Sequence, residues 1–345
     1  MEKVLVSFVS TQPKKGDSPK VMVQNDVDLN YKVEFINSLT GEVTSVDCQS
    51  NQTVTSGKQW SINWLIKVYS QGEDTPFFTE EFNPKGKTVF IKMDATALGD
   101  NISWIAYVEE FRKKWGCNVI CSTFNNSLFV KLYPNILFVK PNTVIENVYA
   151  QYYIGANKND GIYSPIYHKK VPLQMIGSHL LNLPFQEIRP QLNKLFVNTK
   201  RNIKEKYICI SEFASSEKKY WREVGGWQNV VNYLNSKGYK VVVVSKEKTN
   251  LLNIVDLTGK TQPILDVAYV LYHAEFFMGV SSGLSWLSWA VNTKVVMISD
   301  CTPIWHEFSS NIIRISANPN LDEVDYGQQK YTRLGEVIDK ISGLL

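Results

Sequence analysis

Residues 275–300 read EFFMGVSSGLSWLSWAVNTKVVMISD. EFFMGV is a short unbroken apolar run, the pattern of a strand buried on both faces of a parallel sheet. Two serines and a glycine make a tight turn, GLSWLSWAVN has helical spacing, and KVVMISD is a second buried strand. Strand, turn, helix and strand are the repeating unit of a doubly wound α/β domain.

The same grammar runs outward from this stretch. KYICISEF (206–213) reads as a strand, GGWQNVVNYLNSKG (225–238) as a helix stopped at Gly238, YKVVVVSK (239–246) as a strand and PILDVAYVLYHA (263–274) as a helix. RLGEVIDKISGLL (333–345) has helical spacing and closes the unit. A first unit precedes it: TVFIKMD (88–94), the helix NISWIAYVEEFRKKWG (101–116), NVICST (118–123) and ILFVKP (136–141). A helix and a polar linker around EIRPQLNK join the two. Before residue 88 the period changes to two, with YKVEFIN, VTSVDC and WSINWLIKVYS separated by turn signals such as SLTGE and NPKGK. The expected fold is therefore α/β. A small antiparallel β module occupies residues 1–86, a Rossmann-like domain 87–200 and a second 201–345, the last two facing each other across a ligand cleft. The first twenty-odd residues read as a loose arm or an edge strand.

Composition excludes several classes. The 345 residues are 44% apolar and 20% charged, which is ordinary for a globular protein, and no run is long enough to span a bilayer. A net charge of +4 with dispersed lysines does not point to nucleic acid. MEKVLVSFVS is not followed by a small-residue cleavage site, so no signal peptide is expected. Cys48, Cys117, Cys121, Cys209 and Cys301 are scattered, with no Cys-x-x-Cys, and read as reduced thiols of a cytoplasmic protein without a metal site.

Three motifs lie at strand ends, where open α/β sheets bind ligands. In Met93-Asp94-Ala95-Thr96-Ala97-Leu98-Gly99-Asp100, Gly99 allows close approach of a substrate. Asp100 reads either as a helix N-cap or as a general base for an attacking hydroxyl. In Gly279-Val280-Ser281-Ser282-Gly283-Leu284-Ser285, free N–H groups and the helix dipole form a phosphate cradle to which the serines can add hydroxyl donors. The motif has neither the Walker lysine nor the dinucleotide fingerprint. In the third, Lys219 can neutralise a diphosphate while Trp221 and Trp227 line a base or sugar, or fill a core edge. Ser245 and Lys246, at the end of YKVVVVSK, join the donor-side candidates, and Thr96, Leu98, Tyr153 and His306 the acceptor or sugar side. His168 reads equally as an acceptor contact or as a surface loop residue, and His179 and His273 as packed or capping helix residues.

These blocks also carry a resemblance. ATALGDNISWIAYVEEFRKKWGCNVICSTF, LFVKLYPNILFVKP, YAQYYIGA, PLQMIGSHLLNLPFQEIRPQL, KKYWREVGGWQNVVNYLNSKGYKVVVVSKE and HAEFFMGVSSGLSWLSWAVNTKVVMIS resemble the bacterial autotransporter O-heptosyltransferases, relatives of the lipopolysaccharide heptosyltransferases. The resemblance runs in order from about residue 30 to residue 308. It implies an inverting GT-B glycosyltransferase that uses ADP-heptose as donor and adhesin serines as acceptors. Asp100 would be the base, and Lys219 with the Ser281-Ser282-Gly283 turn would hold the diphosphate. The same fold with another nucleotide sugar and a glycan or small-molecule acceptor is the first alternative. A non-catalytic sugar-nucleotide-binding module is the second. The family resembled carries a four-cysteine iron finger before the terminal helix. Here IRISANPNLDEVDYGQQK (313–330) has no cysteine, so no iron is expected and a large ring-like assembly is not implied, although an oligomer is compatible.

Overall fold

Period-two alternation organises the N-terminal part into two antiparallel sheets. The strands are β1 (Lys3–Ser7), β2 (Lys20–Gln24), β3 (Asn30–Asn37), β4 (Val43–Gln49), β5 (Thr53–Thr55), β6 (Trp64–Ser70) and β7 (Phe78–Glu81). One sheet has the order β1-β2-β5 and the other β4-β3-β6-β7. Val33 and Phe35 of β3 turn inward beside Ile66 and Val68 of β6, and Lys32, Glu34 and Lys67 take the wetter face. The computed structural model describes residues 2–8, 18–156, 162, 164–259, 263–327 and 330–345. Of the expected N-terminal arm, β1 is an edge strand whose continuation, Phe8, bridges to Ala150, while residues 9–17 lie outside the described residues.

The first parallel sheet follows as β8 (Thr88–Met93), α1 (Leu98–Trp115), β9 (Asn118–Thr123), the short α2 (Asn126–Phe129), β10 (Ile136–Val139) and β11 (Ala150–Tyr153), in the order β10-β9-β8-β11. Two 3-10 segments, His168–Lys170 and Leu192–Leu195, flank α3 (Leu173–Leu180) on the way to the second unit. That unit contains β12 (Tyr207–Ser211), α4 (Gly226–Ser236), β13 (Lys240–Val243), β14 (Val255–Asp256), α5 (Ile264–Tyr272), β15 (Phe277–Val280), α6 (Gly283–Ala290), β16 (Val295–Ile298), β17 (Ile312–Ile315) and α7 (Leu334–Ser342). Its six strands are parallel, in the order β14-β13-β12-β15-β16-β17. The order in which successive strands are added to the sheet reverses between β12 and β15, which opens a crevice at their carboxyl ends. Gly238 ends the α4 hairpin at φ +85°, a conformation that a side chain would strain.

Several features depart from the sequence reading, β11 among them. β14 and β17 were not expected: β14 is only two residues long, and β17 carries Arg314 in its centre. α1 begins at Leu98 rather than at residue 101, which moves Asp100 inside the first turn.

The halves meet through their helices. A Cβ on Gly99 would stand 2.9 Å from Trp286 Cδ1, and one on Gly283 would stand 2.7 Å from Leu98 Cβ. Neither approach tolerates a side chain, so glycine is what lets the N-termini of α1 and α6 touch. Trp289 stacks on Phe308 at 4.9 Å, and Trp104 Nε1 donates to the Leu173 carbonyl at 2.8 Å, completing one apolar core from the β module to the interface. A second core, with Ile208, Val230, Leu234 and Val337, lies on the far face of the six-stranded sheet.

Candidate active site

Asp100 is held by the loop between β8 and α1. Asn101 donates from Nδ2 to the carbonyls of Ala95 (2.7 Å) and Ala97 (2.9 Å), and its Oδ1 accepts from Thr123 of β9. Asp94 Oδ1 accepts from Ser122 at 2.6 Å. Ser122 and Thr123 both end β9, so the loop is fixed by its own carbonyls and by the neighbouring strand. The N-cap position belongs to Ala97, which makes no side-chain cap, so the cap reading of Asp100 does not hold. Among the described residues no hydrogen bond reaches its carboxylate. Burial pushes that carboxyl up to about 6, against the pull of the Lys219 ammonium from the opposite half. A desolvated carboxylate with no partner, ionised at neutral pH and close to its own proton affinity, is suited to accept a proton. Tyr153 ends β11 in the same neighbourhood, where burial and then the charges of Asp94 and Asp100 raise its hydroxyl.

The start of α6 supplies the opposing surface. The three serines of its turn differ. Ser281 Oγ donates to Glu307 Oε1 at 2.6 Å, and Ser285 Oγ donates to the Val280 carbonyl at 2.7 Å, so both hydroxyls expected as ligand donors are engaged inside the protein. Ser282, the N-cap residue, makes no side-chain cap, and among the described residues its buried Oγ has no partner. One free hydroxyl, the first N–H groups of the helix and the positive end of its dipole form an anion cradle.

A buried ion pair fixes this turn from below. Glu307 pairs with Arg314, whose Nη2 also donates to the Thr302 carbonyl at 3.1 Å, and Thr302 Oγ1 donates to Glu307 at 2.9 Å. Burial alone would raise the Glu307 carboxyl, but Arg314, His306 and the Ser281 hydrogen bond hold it down at about 2. Sequence reasoning missed this pair. An arginine in the centre of an apolar strand was the available signal, because such a charge needs a partner. His306 Nδ1 lies 3.3 Å from the Val171 carbonyl, and burial lowers its proton affinity, so the ring is neutral at pH 7.

Lys219 sits in the turn Glu217–Lys219 after β12, where its charge acts on Asp100, Cys301 and His306. It lines a cavity with Lys218, Tyr220, Arg222, Tyr326 and Tyr331. Trp221 borders the same cavity but donates from Nε1 to the Thr332 carbonyl and packs edge-to-face on Trp227, at 5.2 Å. Trp227 lies in the core, not on the cavity wall. Ser245 Oγ donates to Glu247 at 2.7 Å in an exposed loop after β13, beside exposed Lys246. Gly279 is interior to β15: a Cβ there would stand 2.7 Å from the Phe277 ring and 3.1 Å from the Ser211 carbonyl. Leu284 is partly buried in the first turn of α6, and Thr96 is exposed on the loop before α1. The close approach that Gly99 permits within the chain is to Trp286. The structure thus brings Asp100, Tyr153, Lys219, Ser282 and His306 to one junction between the halves and places the tryptophans behind it.

These elements have counterparts in known proteins. The sequence profile of glycosyltransferase family 9 (heptosyltransferase) matches residues 177–303. Autotransporter heptosyltransferase Aah of Escherichia coli is 33% identical over 321 residues, covering 86% of this chain and 81% of Aah. The chain belongs to the autotransporter heptosyltransferases. It is a glycosyltransferase of GT-B fold. A second relative, BimC of Burkholderia thailandensis, is described as an inactive autotransporter heptosyltransferase and is 29% identical, covering 74% of this chain and 63% of its own length. In fold, the chain matches the E. coli enzyme TibC, solved as an iron-containing dodecamer, with a TM-score of 0.84 at 24% identity over 99% of this chain and 95% of TibC. TibC has also been solved with ADP-D-beta-D-heptose, and that structure matches with a TM-score of 0.83.

The residues of this chain do not fit an iron centre of that kind. All five cysteines are buried thiols on separate elements, and among the described residues no three of His, Cys, Asp or Glu are grouped as ligands would be. Among the described residues no helix is long and apolar enough to cross a membrane.

Proposed function

We propose that the chain transfers heptose from ADP-heptose to a hydroxyl of a protein acceptor, with inversion at the anomeric carbon. Asp100 takes the proton of the acceptor hydroxyl, the freed oxygen attacks the anomeric carbon, and the carbon–oxygen bond to the diphosphate breaks with its electron pair leaving on ADP. Lys219, Ser282 and the N–H groups of α6 stabilise the charge that develops on the departing diphosphate. The observation that carries this reading is the unpartnered, desolvated Asp100 facing the Lys219 cation across the junction. The TibC complex supports the donor. In this reading residues 87–200 receive the acceptor and residues 201–345 the donor. The N-terminal β module shapes the acceptor side or an assembly contact, and the protein works in the cytoplasm.

Calorimetric titration with ADP, GDP and UDP, followed by a sugar conjugate of each, tests the donor. Selective binding of ADP, tightened by the heptose, is expected. Selection of UDP or GDP would keep the fold and replace the donor. The inactive relative motivates a second reading, a sugar-nucleotide-binding module without turnover, and binding with no ADP release under any acceptor would favour it.

A further inference from the structure

Among the described residues the Asp100 carboxylate accepts no hydrogen bond, so its direction is set by the backbone that carries it. Polar side chains hold that backbone on both sides. Ser103 Oγ donates to the Asp100 carbonyl at 2.9 Å. Before it in the chain stands Asn101, a fully buried amide. Both of its Nδ2 protons reach back across Asp100, to the carbonyls of Ala95 (2.7 Å) and Ala97 (2.9 Å).

The other end of the amide is anchored on a different strand. Asn101 Oδ1 accepts from Thr123 Oγ1 at the end of β9, and that hydroxyl accepts from Asn125 N at 3.1 Å. A continuous series of hydrogen bonds therefore runs from the turn after β9, through Thr123 and Asn101, into residues 95–97. Ala97 occupies the N-cap position of α1 with no side chain able to cap. Asparagine suits the task because one planar amide offers two donors and an acceptor. An aspartate in its place would have no proton for either carbonyl. A buried network of this kind works as a unit, since each member left unpaired is costly.

We propose that Asn101 is a positioning residue for the transfer reaction and that Thr123 is its anchor, the two together aiming Asp100 at the junction between the halves. The inference rests on Asp100 being the base. Neither residue is part of the donor surface, which Lys219, Ser282 and the start of α6 supply from the opposite half. A displacement of Asp100 therefore costs rate and leaves donor binding intact.

The test measures ADP release from ADP-heptose, with water as the acceptor hydroxyl, and ADP affinity by calorimetry. It compares wild type with Thr123→Val, Thr123→Ser, Asn101→Ala and Asp100→Asn. Thr123→Val keeps the shape of the side chain and removes the hydroxyl. Its kcat is expected to fall roughly ten- to a hundredfold, with the KM for ADP-heptose and the ADP dissociation constant within about twofold of wild type. The acid limb of its rate is expected to move below about 6, because a displaced carboxylate regains water. Thr123→Ser retains the hydroxyl and is expected to recover most of the rate. Asn101→Ala is expected to show the same split, and Thr123→Val decides the matter if that variant does not fold. A purely structural role predicts a lowered denaturation midpoint with kcat and the acid limb unchanged, and that outcome in Thr123→Val overturns the proposal. An equal loss of kcat and ADP affinity overturns it too. Release by Asp100→Asn at the wild-type rate removes the base itself, whereas an inactive Asp100→Asn beside a fully active Thr123→Val removes only the positioning role. If the wild type releases no ADP, there is no base to position and the proposal falls with the transfer reading.

Discussion

Replacing Asp100 with asparagine should abolish transfer and, at the same time, stabilise the fold in a pH-dependent way. The side chain is partly buried, and desolvation lifts its carboxyl from 3.8 to about 6. At about 1.4 kcal/mol per unit, that shift corresponds to roughly 3 kcal/mol by which the ionised carboxylate destabilises the native state. Well below its unfolded value of 3.8 the carboxyl is neutral in both folded and unfolded chains, and nothing is lost. Between pH 4 and 6 the unfolded chain ionises first and the penalty grows. Above pH 6 both states are ionised and the penalty is complete. A neutral amide carries no such penalty, so Asp100→Asn should match wild type near pH 4 and exceed it by up to about 3 kcal/mol at pH 7 to 8. Chemical denaturation of both proteins across that range reads the difference directly. An N-cap aspartate predicts the opposite slope, with the variant losing ground as pH rises. A stability difference that is flat with pH, or negative at pH 7, would refute the desolvation argument.

Lys219→Ala should weaken binding of ADP-heptose by roughly ten- to a hundredfold, measured by calorimetry, because a charge-assisted phosphate contact is lost. It should also move the acid limb of the residual rate upward, since Lys219 lowers the proton affinity of Asp100. Gly283→Ala places a Cβ 2.7 Å from Leu98 Cβ and 3.2 Å from the Gly99 backbone nitrogen, so the start of α1 must move. A loss of about 1–3 kcal/mol in stability is expected, with kcat falling more than nucleotide affinity. Glu307→Gln leaves Arg314 buried without its counter-charge and should cost about 3–5 kcal/mol at pH 7, read as a lowered denaturation midpoint. The Glu307 carboxyl is held at about 2, below its ordinary 4.5, so this contribution is present above pH 4.5 and fades as pH falls towards 2.

The second parallel sheet was legible in the sequence because parallel strands buried on both faces leave continuous apolar runs, as in EFFMGV and KVVMIS. β17 was not, because Arg314 interrupts its run, and the residue that tolerates that arginine lies on the preceding loop. The position of Asp100 at the mouth of a strand was readable, but its role was not. Whether an aspartate caps a helix or stands free depends on a helix start that shifted by three residues, from 101 to 98. Ser281, Ser282 and Ser285 look alike in a string of letters. Only the turn geometry leaves Ser282 without a partner. Gly99 and Gly283 carry no sign in the sequence that each faces the other helix. The tryptophans after β12 were assigned to ligand contact as readily as to packing, and the structure sets Trp227 behind Trp221 in the core.

The central claim is that Asp100 supplies the base while the opposite half binds the donor. The most direct measurement is ADP release from ADP-heptose by wild type and Asp100→Asn, on proteins whose donor affinities have been matched by calorimetry. The account predicts equal binding by both and release by the wild type alone, with a rate that falls as pH drops through about 6. Release by the asparagine variant at the wild-type rate would contradict it.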